Sequence, residues 1–104
     1  MDMMYDTGAT NTVLRPAQAR QLRIIDAQGR IIAPGAREGQ ALLMNTAGGR
    51  QRMRKLNNVE LTVAATGESA RGAVMIHQGL AGAPLLGLSH IKGYKRLKVK
   101  FRRA

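Results

Sequence analysis

A short polar turn near the start of the chain carries the residues best suited to chemistry. It consists of Asp6-Thr7-Gly8-Ala9-Thr10, and the apolar pair Val13-Leu14 follows it. Glycine has no Cβ, so its backbone N–H can approach a neighbouring carboxylate closely. Two such carboxylates placed side by side cannot both ionise, and they would share one proton. One could then act as a base on a water while the other donates a proton. Asp and Gly also favour ordinary turns, so this motif alone is weak evidence.

The other candidate catalytic or ligand residues lack the spacing that their chemistry needs. His77 and His90 do not have zinc-ligand spacing, and no Glu forms a His-Glu motif with them. A structural or surface role is therefore the favoured interpretation of both histidines. Ser69 and Ser89 have no nucleophile-elbow motif around them. The sequence predicts no metal site and no cofactor.

Composition and charge indicate one small, basic domain. The chain has 104 residues, which predicts a single domain spanning 1–104, and its 44% hydrophobic content argues against disorder. The net charge of +11 indicates an anionic partner such as nucleic acid, an acidic substrate or a membrane surface. The absence of cysteine excludes disulfides and thiolate metal sites. No apolar run is long enough to span a membrane, and the start lacks the features of a signal peptide. A cytoplasmic protein is expected, with loss of an N-terminal targeting or anchor segment as the open alternative.

Hydrophobic patterning predicts a mostly β fold with one or two short helices. Pro16 suits the first turn of a helix over 16–22, and residues 88–93 could form one or two further helical turns. Apolar residues alternate with polar or small ones over 59–63, which is typical of a half-buried strand. The same alternation over 97–101 predicts a last strand with one basic face. Further strands are predicted at 13–14, 41–44, 73–76 and 85–86, and a hairpin turn at 26–29.

Four segments of the chain form an ordered series. They are Asp6 to Thr10 with Val13-Leu14, then Pro16-Ala17-Gln18-Ala19-Arg20-Gln21-Leu22, then Asn45-Thr46-Ala47-Gly48-Gly49, and Leu85-Leu86-Gly87-Leu88-Ser89-His90-Ile91. Taken in this order, they resemble the retropepsin-like aspartic proteases, especially the bacterial single-domain type. The resemblance covers about residues 5–101, and its first and fourth segments together are the more specific ones. It implies a single retropepsin-like domain, folded as a small closed barrel of the acid-protease type.

The resemblance also implies a role for each matching residue. Asp6 resembles the catalytic carboxylate of an aspartic endopeptidase that cuts peptide or protein substrates without a cofactor. One chain supplies one such aspartate, so a homodimer is implied. Thr7 resembles the hydroxyl that bonds across the dimer, and Gly8 resembles the N–H donor to the carboxylates. The remaining matches are Ala9 and Thr10 in the active-site turn and dimer contact, Thr46, Ala47, Gly48 and Gly49 in the flap, and Leu86 and Gly87 as structural companions of the active site.

Two features leave a different function open. Family members carry additional strands before the aspartate, whereas residues 1–5 alone precede Asp6 here, and Gly48 stands where the family often has Asn. The alternative is a catalytically silent basic β-domain that binds nucleic acid or a protein partner. A solvated basic face is the favoured interpretation of the charge, and the 3% aromatic content argues against recognition of single strands. Phosphate contact without sequence preference remains the alternative. The basic clusters are Arg50, Arg52, Arg54 and Lys55, and a second one over 92–103.

Overall fold

A computed structural model describes residues 1–6, 8–46, 49–79 and 83–94, which form a mixed β-sheet and two short helices. The elements are β1 (Met4–Tyr5), β2 (Thr12–Leu14), α1 (Pro16–Gln21), β3 (Arg37–Glu38), β4 (Leu42–Thr46), β5 (Gly49–Thr62), β6 (Ser69–Ile76), β7 (Leu85–Leu86) and α2 (Leu88–Ile91). Within the described ranges the strand order is β1-β7-β2-β6-β5-β3, and β4 pairs with β5 beside that path. The prediction of a mostly β fold with one or two short helices is confirmed.

The antiparallel pair of β5 and β6 forms the long ladder of the sheet. Val59 and Leu61 on β5 are buried and Glu60 is exposed, as the alternation over 59–63 predicts. The register shifts between Leu56 and Val59, where Asn58 has a φ of 59°. Asn tolerates this left-handed conformation better than most residues. The irregularity bends the strand, so that its two halves need not lie in one plane.

Helix α1 begins at Pro16, the predicted first residue of this helix. Proline is suited there because its missing N–H has no partner in the first turn of a helix. The Arg15 N–H donates to Gln18 Oε1 at 2.8 Å, which closes the start of the helix. Ala19 is fully buried and attaches this helix to the core. The local sequence therefore determines where α1 starts, and burial of one small side chain determines where it packs.

Strand β2 connects the two halves of the sheet. It runs parallel to β6 on one side and antiparallel to β7 on the other, and β1 lies parallel to β7. This arrangement brings the β1–β2 connection next to the start of α2. The core around it includes Leu14, Leu56 and Val74, all fully buried. Tyr94 is also buried, and its hydroxyl donates to the Leu61 carbonyl at 2.8 Å.

The prediction of a closed barrel is wrong for the part of the chain that the structure describes. There the sheet runs from β1 to β3, and no ladder joins those two ends. Closing a barrel requires the first and last strands to pair with matched tilt and stagger. β1 and β3 have two residues each, and each pairs with one neighbouring strand. The strand predicted over 97–101 lies outside the described residues.

Candidate active site

The turn after β1 holds the Asp6 carboxylate in a defined position. The Asp6 N–H donates to the Leu86 carbonyl at 3.0 Å, which ties the residue to β7. The Gly8 N–H donates to Asp6 Oδ1 at 3.0 Å, and the Ala9 N–H donates to the Asp6 carbonyl at 3.1 Å. A Cβ on residue 8 would lie 3.2 Å from Asp6 Oδ1, so glycine permits the tight turn. Asp6 is half-buried and Gly8 is exposed, which leaves the carboxylate accessible. Thr7 lies outside the described residues.

Helix α2 holds the other side of the same turn. The Leu88 N–H donates to the Ala9 carbonyl, and the Ser89 N–H donates to the Thr10 carbonyl, both at 2.9 Å. These are N–H groups of the first turn of α2, which have no partner inside the helix. The structure therefore places Ala9 and Thr10 against the residues that follow Gly87.

Gly87 allows this close approach. A Cβ at Gly87 would overlap the carbonyl group of Asn11, and a Cβ at Gly72 on β6 would overlap the carbonyl group of Ser89. Both obstacles are backbone atoms, which cannot move aside as a flexible side chain can. The structure thus brings Leu86 and Gly87 beside the Asp6 turn.

A buried hydrogen-bond network lies beneath the turn. Thr12 and His90 are both fully buried, and Thr12 Oγ1 lies 2.7 Å from His90 Nδ1. The Gly87 N–H donates to Thr12 Oγ1 at 3.2 Å, and His90 Nε2 lies 2.9 Å from the Val59 carbonyl oxygen. Ser89 Oγ accepts from the Thr12 N–H at 3.1 Å and donates to the Ala73 carbonyl at 2.8 Å. The network connects β2, β5, β6 and α2.

Thr12 does not belong to any motif in the sequence, and His90 and Ser89 lack catalytic spacing there. In the structure, the polar side-chain atoms of Ser89 and His90 make hydrogen bonds within the fold. Their sequence separation from Thr12 exceeds 70 residues. Spacing in the sequence therefore gave no signal for the contacts of Thr12 with Ser89 and His90. The one indication of a buried partner was the position of His90 inside a predicted apolar helix.

In the β4–β5 hairpin, strand β5 has one face toward the fold and one toward solvent. The ladder pairs Thr46 with Gly49 at its end, while Ala47 and Gly48 lie outside the described residues. On the inner face of β5, Met53 is buried and Gln51 Oε1 lies 2.7 Å from His77 Nε2. The side chains of Arg50 and Arg52 alternate with these and are exposed. The hairpin predicted as a flap is therefore present as paired strands, with a polar contact to the end of β6.

The charged residues of β5 differ in their partners. Arg54 pairs with Glu38 at 2.7 Å, and this hydrogen bond holds the pKa of the Glu38 carboxyl below its usual value. Arg71 on β6 lies 3.6 Å from Glu60. Across the described ranges, no ion pair involves Arg50 or Arg52. The exposed guanidinium groups of Arg50 and Arg52 are therefore among the positive charges that no neighbouring acid neutralises in the described ranges.

Several apolar side chains around β1 are exposed. Met4 and Tyr5 have exposed fractions of 56% and 44%. A groove of about 820 Å³ lies beside Tyr5, and the residues that line it include Met3, Leu61 and Tyr94. In the described ranges, no group of three His, Asp or Glu converges to hold a metal ion, and no helix is long and apolar enough to cross a membrane.

Comparison with known proteins adds no assignment. No family model matches this chain, and a search of curated proteins finds no significant relative.

Proposed function

We propose that this chain is one subunit of a retropepsin-like aspartic endopeptidase in which Asp6 of two copies forms the catalytic pair. The observation that carries the proposal is the way in which the Asp6 carboxylate is held. It accepts a hydrogen bond from the Gly8 N–H at 3.0 Å, on a turn fixed to β7 by Leu86 and to α2 by Leu88. A carboxylate that accepts a backbone hydrogen bond, half-buried and free of ion pairs in the described ranges, is suited to proton transfer.

The proposed mechanism uses two Asp6 carboxylates that share one proton. The ionised carboxylate takes a proton from a water, whose oxygen attacks the carbonyl carbon of the scissile peptide. The protonated carboxyl donates its proton to the carbonyl oxygen, giving a tetrahedral diol. Collapse of this intermediate breaks the C–N bond, and a proton returned by the carboxyl pair leaves with the amine. The Gly8 N–H supports the step by keeping Oδ1 in place while the charge moves between the two residues.

A dimer follows from this chemistry, because one chain contributes one such carboxylate. The exposed apolar side chains of Met4 and Tyr5 on β1, directly before Asp6, are consistent with a covered surface in the working protein. The β4–β5 hairpin is the proposed flap, which would close over substrate. Its paired strands and its exposed outer face support that role.

The test is the change Asp6→Asn, assayed by cleavage of an unfolded protein. We expect a loss of about 100-fold or more, because asparagine can neither take nor donate the catalytic proton. Asp26→Asn is the matched control, since Asp26 also caps a turn through Oδ1, accepting from the Gln28 and Arg30 N–H groups. Equal cleavage by wild type and Asp6→Asn would exclude Asp6 as the catalytic group. Sedimentation measured alongside should show that the active species is a dimer.

A second candidate function is binding of nucleic acid or another acidic partner without catalysis. The observation in its favour is the exposed outer face of the β4–β5 hairpin, where Arg50 and Arg52 have no acidic partner in the described ranges. Residues two apart on a strand point to the same side, so both guanidinium groups can reach one anionic surface. Phosphate groups and acidic peptides both fit this chemistry.

A further inference from the structure

His90 is a buried titratable residue that the proposed catalytic mechanism does not use. Its exposed fraction is 0%, and both ring nitrogens are hydrogen-bonded. It is the third residue of α2, whose first N–H groups hold the Ala9 and Thr10 carbonyls of the Asp6 turn. The imidazole therefore lies within the structure that supports the candidate catalytic carboxylate.

The surrounding groups determine where the proton of the neutral ring must lie. The Val59 carbonyl can act as an acceptor alone, so Nε2 carries the hydrogen and donates to it at 2.9 Å. Nδ1 is then the acceptor, and the Thr12 hydroxyl donates to it at 2.7 Å. Thr12 Oγ1 in turn accepts the Gly87 N–H at 3.2 Å. When His90 is neutral, each of these three hydrogen bonds therefore has one donor and one acceptor.

We propose that neutral His90 is a positioning residue for the Asp6 turn, and that its protonation releases this turn. The network would act as an acid-sensitive latch between β2 and the start of α2. The inference goes beyond the proposed function, because the latch does not require the chain to be a protease.

When His90 is protonated, the hydrogen bonds of the network can no longer all be made. A second hydrogen on Nδ1 would point at Thr12 Oγ1, so the Thr12 hydroxyl hydrogen must turn away. Ser89 Oγ lies 3.5 Å from Thr12 Oγ1, too far for a good hydrogen bond, so it is a poor replacement acceptor. The positive charge would also be buried, and among the described residues its hydrogen-bonding neighbours are the neutral groups of Thr12, Ser89 and Val59.

Charged groups on the adjacent elements do not compensate for the imidazolium. Strand β2 carries no titratable side chain. Glu60 on β5 and Arg71 on β6 are exposed and pair with each other at 3.6 Å, and Lys92 after α2 is exposed. The Tyr94 hydroxyl donates to the Leu61 carbonyl. The buried ring therefore titrates in surroundings that favour its neutral form.

The direction of the pH effect follows from this environment. Burial lowers the pKa of His90 below its ordinary value of 6.5, and the bond to the Val59 carbonyl opposes this in part. A histidine with a lowered pKa gives its full stabilisation above 6.5 and loses it as the pH falls through the folded pKa. The latch should accordingly be closed near neutral pH and open in acid.

The experiment compares amide hydrogen exchange at Leu88 and Ser89 near neutral pH and at about pH 5, expressed as protection factors. In wild type we expect protection at both amides to fall by about tenfold or more in acid. His90→Asn keeps an acceptor near the Nδ1 position but cannot be protonated, so its protection should not depend on acid. His77→Gln is the matched control, because it removes the other histidine and should retain the wild-type acid dependence.

Each outcome bears on the latch directly. An equal acid loss in wild type and His90→Asn, no loss in wild type, or a loss abolished by His77→Gln would overturn the proposal. If His90→Asn does not fold, the wild-type protein alone tests the latch. The NMR signal of the His90 ring and the protection of the two amides must then change with the same pH midpoint. Different midpoints would overturn the latch. Absence of proteolysis in every variant would count against the proposed function and leave this exchange test intact.

Discussion

Replacing Thr12 with valine removes one hydroxyl from the centre of the buried network and retains the β-branched shape. The hydroxyl of fully buried Thr12 accepts the Gly87 N–H at 3.2 Å and donates to His90 Nδ1 at 2.7 Å. Valine can do neither, so a buried N–H and a buried ring nitrogen both lose a partner. The change therefore isolates hydrogen bonding from packing at the point where β2 meets α2.

The expected magnitude follows from the two groups left without partners. Each buried polar group without a hydrogen bond costs about 1–3 kcal/mol, and the added methyl returns roughly 0.8 kcal/mol through burial. We expect the free energy of unfolding to fall by about 3 kcal/mol. With an unfolding entropy of about 2.1 cal/mol/K per residue over 104 residues, Tm should fall by about 14 °C.

The assay is thermal and urea unfolding of Thr12→Val beside the matched control Thr62→Val. The Thr62 hydroxyl also has a hydrogen bond, to Ser69 Oγ at 2.6 Å, but it is exposed at the end of β5. Water can replace that partner, so the control should change stability by no more than about 0.5 kcal/mol. Similar losses at Thr12 and Thr62 would refute the reasoning, because burial would then not decide the cost.

Two further predictions concern titration and charge. Burial, with a smaller contribution from Tyr5, raises the pKa of Tyr94 to about 12. In a Tyr5→Phe background, which removes the smaller contribution, ultraviolet titration should show a single tyrosinate transition above the ordinary value of 10.0, and stability should fall as the pH rises above that value, since the unfolded chain ionises first. A transition at the ordinary value would contradict the buried hydroxyl. If the outer hairpin face binds duplex DNA, changing Arg50 and Arg52 to Gln should reduce the slope of log affinity against log salt by about 2. An unchanged slope would place the phosphate contacts elsewhere.

Local features of the fold were predictable because residues close in sequence determine them. Pro16 set the start of α1 through its fixed φ and missing N–H. Alternation around Val59 predicted which side of β5 is buried, because successive side chains on a strand point to opposite faces. Gly8, two residues after Asp6, predicted a tight turn, and its N–H does reach the Asp6 carboxylate.

The support of the candidate site was decided by tertiary structure alone. Thr12 and His90 lie 78 positions apart, and their contact exists because β2 is inserted between β6 and β7. The resemblance predicted Gly87 as a companion of the active-site turn, but the Asn11 carbonyl that lies against Gly87 is visible in the tertiary structure alone. Whether the sheet closes is also a global property, set by which strands find partners at its two ends, β1 and β3. Short-range patterning determines elements and turns, whereas the satisfaction of buried polar groups depends on which distant segments packing brings together.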